Sequence, residues 1–237
     1  LYFIKTNNHL KNIIQNSCNL FNTGSLPQKT IVYIPIWGRH NILELCVNSI
    51  KSQTEECLIL GVCSNEEDFV FTKSLGINTI MSINLPLGIK YQLGMDYCKL
   101  FYPKNVIIVG SDDTISKNYV KNINKYINKY DVVGLKNWKI KEIPDNDIYN
   151  LKYNHKIIDG CWGGKNGVHK RVFDTQLLGF SSDIIKEFPF TIGAGRSLSV
   201  NILNKMNWQV YVDVNTGLDT VSLFKLLLLN NANYITL

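Results

Sequence analysis

A run of four apolar residues, Val106-Ile107-Ile108-Val109, passes directly into Gly110-Ser111-Asp112-Asp113. Hard divalent cations take oxygen ligands, and Mg²⁺ or Mn²⁺ is commonly held by one or two carboxylates together with substrate phosphates. Adjacent side chains on extended backbone point to opposite sides. One of Asp112 and Asp113 would therefore meet a metal directly, while the other contacts water or a ribose. The competing reading is structural: Asp113 or Ser116 caps a helix that begins near Lys117. Two other polar groups also follow apolar runs, Pro35-Ile36-Trp37-Gly38-Arg39 and Ser64-Asn65-Glu66-Glu67-Asp68. In an open parallel sheet, ligands bind beyond the carboxyl ends of the strands, where the strand order reverses. All three segments are thus expected at one site.

The elements around them alternate. Strand-like runs cover 30–36, 57–63, 78–83, 105–109 and 132–135, with helical patterns at 42–50, 68–75, 88–101 and 117–128 between them. In the first of these helices the apolar face reads as Ile42, Leu45, Cys46, Ser49 and Ile50. The strands are continuous Ile/Val/Leu runs, which implies burial on both faces and hence a mostly parallel central sheet wrapped by helices. Ahead of them, Leu10, Ile13, Ile14, Cys18 and Phe21 suggest an amphipathic leading helix, and residues 22–29 a loop. The second half is less regular. It has a polar, Gly-rich stretch at 145–167, helical patterns at 182–188, 197–206 and 220–230, and a strand at 210–214. The expected organisation is a leading segment, 1–29, and one α/β domain, 30–237, divided into halves at 30–135 and 136–237.

The residues around the first strand resemble the opening of family-2-type glycosyltransferases of the GT-A fold, the nucleotide-diphospho-sugar transferase superfamily. Ile34-Pro35-Ile36-Trp37-Gly38-Arg39, then Leu43, Cys46, Ser49-Ile50 and Gln53-Thr54, is similar to that family's strand, Pro and Arg followed by a helix ending in Ser-Ile-x-x-Gln-Thr. Val109 to Asp113 resembles the family's DxD motif. More loosely, residues 179–190 and 208–212 resemble its acceptor-side half. The resemblance implies a nucleotide-diphosphate sugar donor (UDP- or GDP-linked), a bound Mn²⁺ or Mg²⁺, and transfer to an acceptor hydroxyl on a glycan, a protein or a lipid-linked carrier. By position, Pro35, Trp37 and Arg39 would frame base and ribose. Ser64, Asn65 and Glu66 stand where the family keeps a base-reading carboxylate. Lys90 would lie near the donor, Ser111 and Asp112 would bind it, and Asp112 with Asp113 would hold the metal. A metal plus Lys or Arg stabilises the charge that develops on a departing diphosphate.

Two departures from that pattern stand out. Gly110 occupies the place of the first Asp of the motif, and Arg196-Ser197 occupies the place of the acidic pair that supplies the base at the start of a late helix. Either another carboxylate deprotonates the acceptor, with Asp159, Asp183, Asp213 and Asp219 as candidates, or the enzyme retains configuration without such a base. Asp159 and Asp219 lead this set. Asp159 precedes the Gly160-Cys161-Trp162-Gly163-Gly164 stretch, where Trp162 could stack on an acceptor sugar. Each residue also has a plainer reading: Trp37 and Trp162 as core, Arg39 paired with Glu44, Glu66 to Asp68 as an acidic first helical turn, Asp183 and Asp219 as helix caps, and Lys90 as a solvated helix lysine. The alternative function is a catalytically degenerate module of the same fold that binds nucleotide sugar or glycan.

Composition narrows the classes. The chain has 237 residues, 45% hydrophobic and 19% charged, so it can bury a core and is not a disordered segment. Its net charge of +6 comes from scattered Lys, which argues against nucleic acid as a partner. No GxGxxG or P-loop is present, and the segment after the first strand is not the Gly-rich basic signature of a nucleotidyltransferase. Six Cys without CxxC spacing read as reduced thiols. No apolar run reaches the ~20 residues of a membrane span. The expected location is cytoplasmic, in a host cell if the Asn-, Ile- and Lys-rich composition reflects a viral genome.

Overall fold

The computed structural model describes residues 28–135, 137–141, 157–161, 195–215, 217–226 and 230–237. The expected leading helix, the segment 162–194 with Trp162 and Asp183, and both His155 and His169 lie outside these. Strand β1 (Thr30–Pro35) is followed by helix α1 (His40–Lys51), β2 (Cys57–Cys63), α2 (Glu66–Ser74), β3 (Asn78–Met81), α3 (Leu87–Lys99) and β4 (Asn105–Ile108). Then come α4 (Tyr119–Tyr126), β5 (Val132–Gly134), and a separate antiparallel pair, β6 (Asn137–Lys141) with β7 (Ile157–Cys161). The described chain closes with β8 (Ser197–Ser199), α5 (Val200–Lys205), α6 (Leu218–Phe224) and β9 (Tyr234–Thr236).

Seven strands form one sheet in the order β3-β2-β1-β4-β8-β5-β9. All neighbours pair parallel except β8, which runs antiparallel to both β4 and β5. Every residue of β1 and β4 is buried, which is what continuous apolar strands covered on both faces require. One face packs Ile31, Tyr33, Val106 and Leu198 against Met95 and Cys98 of α3 and against Trp208 and Val210. The other packs Val32, Ile34 and Ile107 against Leu43, Cys46, Val47 and Ile50 of α1 and Val120 and Ile123 of α4. The buried face of α1 therefore starts at Leu43, and Leu45 is 39% exposed, which corrects the face expected from spacing. Leu43, Cys46, Val47 and Ile50 are the i, i+3, i+4, i+7 set of a helix packed on a sheet.

Two further expectations are overturned. Residues 197–206 are not one helix: Ser197–Ser199 forms β8, and the helix begins at Val200, capped by Ser199 accepting from the Ile202 N–H. β8 is held sideways as well, since Asn105 Nδ2 donates to Ser197 Oγ at 2.8 Å. Nor do residues 210–214 form a strand. The Val210 and Tyr211 N–H groups donate to Gln92 Oε1 of α3, and Val214 C=O accepts from Gly88 N–H. A segment whose hydrogen bonds are taken up by a helix side chain and a helix N-terminus has none left for a ladder.

The four parallel strands β3, β2, β1 and β4 place their carboxyl ends along one edge. The chain adds β2 and β3 on one side of β1, then returns to put β4 on the other. Strand order therefore reverses between β1 and β4.

Candidate active site at the β1–β4 switch point

The turn after β1 is built on two consecutive left-handed residues, Gly38 (φ 57°) and Arg39 (φ 54°). Such a backbone costs little at Gly but is uncommon at Arg. It is pinned from below by Asp68, which is 1% exposed. The Gly38 N–H donates to both Asp68 carboxylate oxygens at 3.0 Å, and His40 Nε2 lies 2.9 Å from Oδ1. Asn65 completes the cradle: its Nδ2 donates to Asp68 Oδ2 at 2.9 Å, while its Oδ1 accepts the Asp68 N–H at 2.7 Å and caps α2. Burial pushes the Asp68 carboxyl up, but the hydrogen bonds from Gly38, His40 and Asn65 outweigh it and hold the group below its ordinary value.

The same turn leaves Trp37 52% exposed, so its ring is not core packing. Lys90 Nζ sits 5.7 Å from the centre of that ring. Lys90 is 1% exposed and is no solvated lysine. Its ammonium donates to Ile36 C=O at 2.5 Å and to Asn84 Oδ1 at 3.2 Å. Burial lowers it from its ordinary value to about 8.

Across the switch point, Arg39 Nη1 donates to Asp112 Oδ2 at 2.7 Å, with both side chains about half exposed. The sequence alternative, a pair with Glu44, is replaced by this contact between the first and fourth strand ends. Asp113 turns back on the chain, its Oδ2 accepting the Gly110 N–H at 3.0 Å. Burial, with Asp112 beside it, raises Asp113 to about 6. Gly110 is what permits this arrangement. A Cβ there would lie 2.5 Å from Asp113 Oδ2 and 3.1 Å from Asp112 Oδ1, so the space of the missing motif side chain is filled by the two carboxylates that follow. Ser111, between Gly110 and Asp112 in sequence, is buried, and Pro35 is buried as the last residue of β1.

The start of α6 is tied to the head of β8. Arg196 is buried and donates through Nη1 to Asp219 C=O and to Ser222 Oγ, both at 3.0 Å. Arg196-Ser197 thus lies at the head of a strand rather than a helix, and its guanidinium anchors the turn carrying Asp219. Asp219 is exposed; Gly217 takes the cap position, which corrects the cap reading of Asp219. Its charge is among those that raise Asp113 and Tyr91, which places it near both. Asp159 stands in β7 opposite Lys139, and Gly160 and Cys161, expected in a loop, belong to the same strand. Asn65 is committed to its cap, and Glu66 is exposed in the first turn of α2.

The carboxylate that sequence reasoning missed is Asp68. Three consecutive acids at a helix start read as dipole partners, and nothing in their spacing marks the third as buried. The one available signal was Gly38, whose N–H needs an acceptor. Among the described residues no three His, Cys, Asp or Glu side chains cluster as a complete metal cage. Cys46, Cys57, Cys63 and Cys98 are free thiols, and burial pushes Cys46 up to about 12 and Cys57 to about 11.

No protein-family model matches the chain, and no curated protein matches it in sequence. Solved structures do. TarS of S. aureus (residues 1–349) superposes with a TM-score of 0.55 at 18% identity, covering 89% of this chain and 58% of that one. The longer TarS structure gives the same TM-score at 17% identity and is covered over 35% of its length. The chain thus spans little more than half of the shorter TarS structure. The 4-diphosphocytidyl-2C-methyl-D-erythritol synthase of Anaerococcus prevotii gives 0.51 at 10% identity, with 88% and 87% covered. Together with the sheet order, these likenesses show the architecture: the chain has a GT-A-like α/β fold.

Proposed function

We propose that the chain is a glycosyltransferase that takes a sugar from a nucleotide-diphosphate donor and passes it to an acceptor hydroxyl. The observation that carries this reading is the meeting, at the β1–β4 switch point, of an exposed aromatic ring (Trp37), a guanidinium (Arg39) and two adjacent carboxylates (Asp112, Asp113). An aromatic face suits a nucleobase, a guanidinium suits a diphosphate, and paired carboxylates suit a divalent cation. The segment after β1 lacks the Gly-rich basic signature of a nucleotidyltransferase, which favours sugar transfer over nucleotide transfer within this fold.

The donor set fits Mg²⁺ or Mn²⁺. Two carboxylates converge on one glycine, and such ions need no more protein ligands than that when phosphates complete the shell. Asp112 and Asp113 would hold the ion, which when bound would stabilise charge on the leaving diphosphate. Trp37 stacks the base, with Lys90 buried against one face of its ring. Arg39 orients the diphosphate. Asp219, exposed in the first turn of α6 with its backbone C=O held by Arg196, accepts the proton of the attacking hydroxyl; Asp159 is the reserve candidate. The acceptor is a glycan, a protein or a lipid-linked carrier. No helix among the described residues is long and apolar enough to cross a membrane.

Thermal-shift screening of a panel of UDP- and GDP-sugars with Mn²⁺ tests the reading, since a ligand that binds only the folded state stabilises it by mass action. The expected result is a metal-dependent upward shift with one donor class that disappears in Asp112→Ala. No shift with any donor would sink it. Binding without hydrolysis or transfer would instead favour the degenerate binding module.

A further inference from the structure

We propose that Arg39 is an exchangeable counter-cation of the carboxylate site: it occupies Asp112 until a divalent cation arrives, and then gives up Asp112 for the donor's diphosphate. This rests on the nucleotide-sugar reading above. Three features of the chain support it. First, among the described residues Arg39 is the one side chain that hydrogen-bonds Asp112, at 2.7 Å, and both groups are half exposed, so the contact can open into water. Asp113 differs: its Oδ2 is tied to the Gly110 N–H. Asp112 is thus the carboxylate with an exchangeable partner.

Second, the guanidinium is aimed by a rigid turn. Arg39 has left-handed backbone (φ 54°, ψ 48°), and the residue before it is clamped by two hydrogen bonds to buried Asp68. An Arg in this conformation persists because its surroundings over-determine it. Third, both carboxylates approach the same side of Gly110 and one of them, Asp112, holds the guanidinium, so a divalent cation seated between them would lie close to its charge. The planar fork of an Arg matches a phosphate as well as it matches a carboxylate, so the displaced group has a second partner in the donor itself. Metal and donor binding would then be coupled: the metal releases the guanidinium that the donor's diphosphate takes up.

Direct titration of Mn²⁺ alone, followed by the loss of the free-ion electron paramagnetic resonance signal, tests this without turnover. Arg39→Gln is expected to bind Mn²⁺ about two- to fivefold more tightly than wild type, the worth of an exposed ion pair. Asp112→Asn is expected to bind it at least about tenfold more weakly. Circular dichroism confirms that each variant is folded. Equal or weaker binding by Arg39→Gln overturns the exchange. If neither wild type nor Arg39→Gln binds Mn²⁺ while UDP or GDP still stabilises the wild type, the metal part of the proposed function falls, and the exchange with it. If both bind Mn²⁺ equally, only the exchange falls.

Discussion

Lys90 shows how much of the site depends on a group the ligand need not touch. Its ammonium is buried under the turn it supports, bonded to Ile36 C=O and Asn84, with the Trp37 ring over it. Burial lowers its pKa from 10.5 to about 8, so the unfolded chain binds this proton more tightly than the folded one. Stability contributed by this group therefore rises with pH between about 8 and 10.5, by on the order of 3 kcal/mol across the window. Urea denaturation of wild type and Lys90→Met at pH 7.5, 9 and 10.5 checks it: the difference between the two should move in favour of wild type as pH rises. A flat difference would show that folding leaves the Lys90 pKa at its ordinary value. A second expectation concerns Gly110. Restoring the motif with Gly110→Asp should fail, because the new Cβ meets Asp113 Oδ2 at 2.5 Å; Mn²⁺ affinity should fall, by about tenfold, instead of rising. Trp37, Arg39, Asp112 and Asp113 could be picked out from the chain alone because each directly follows a strand, where the fold collects ligands. Asp68 could not, because its role comes from a backbone N–H thirty residues away.

At the level of elements, α3 is the keystone of the site, and its glycines show why. A Cβ on Gly94 would lie 2.2 Å from the Tyr33 ring of β1, and one on Gly88 would lie 1.7 Å from Val212 C=O. The helix packs its backbone against the sheet and against the 212–214 segment at the same time. Gly94→Ala is expected to cost about 1–3 kcal/mol by overpacking, and Gly88→Ala about 3 kcal/mol, because it also separates the Gly88 N–H from Val214 C=O. Chemical denaturation measures both. In Gly88→Ala the weakened packing should also loosen the segment leading to Asp219, so turnover should drop more than in Gly94→Ala at equal folded fraction. The αβ half was legible in outline, since its strands are apolar runs and its helices carry a 3.6-residue pattern. Where reading failed, tertiary partners decided. Ser-Leu-Ser is short and polar, yet it is a central strand because Asn105 and the β4 and β5 edges receive it. Val210 to Val214 is as apolar as any strand, yet Gln92 takes its N–H groups first.

β9 forms one edge of the seven-stranded sheet. β9 pairs parallel with β5, and Asn233 binds the Asp131 side of that strand through both C=O and N–H. Ending the chain at Asn230 removes these bonds and should lower stability by on the order of 3 kcal/mol, read as an earlier urea midpoint. Donor binding by the molecules that remain folded should persist, because three strands separate β9 from β1. This closing strand was not legible, being three residues long and unmarked by pattern. The inverted strand β8 has a consequence of its own for the life of the chain. On a ribosome, β1 to β4 emerge long before Ser199. Until then β4, the strand that delivers Asp112 and Asp113, is an open apolar edge, a template on which a neighbouring nascent chain can pair. That edge stays open until Ser197, Leu198 and Ser199, made much later, slide in beside β4 and seal it.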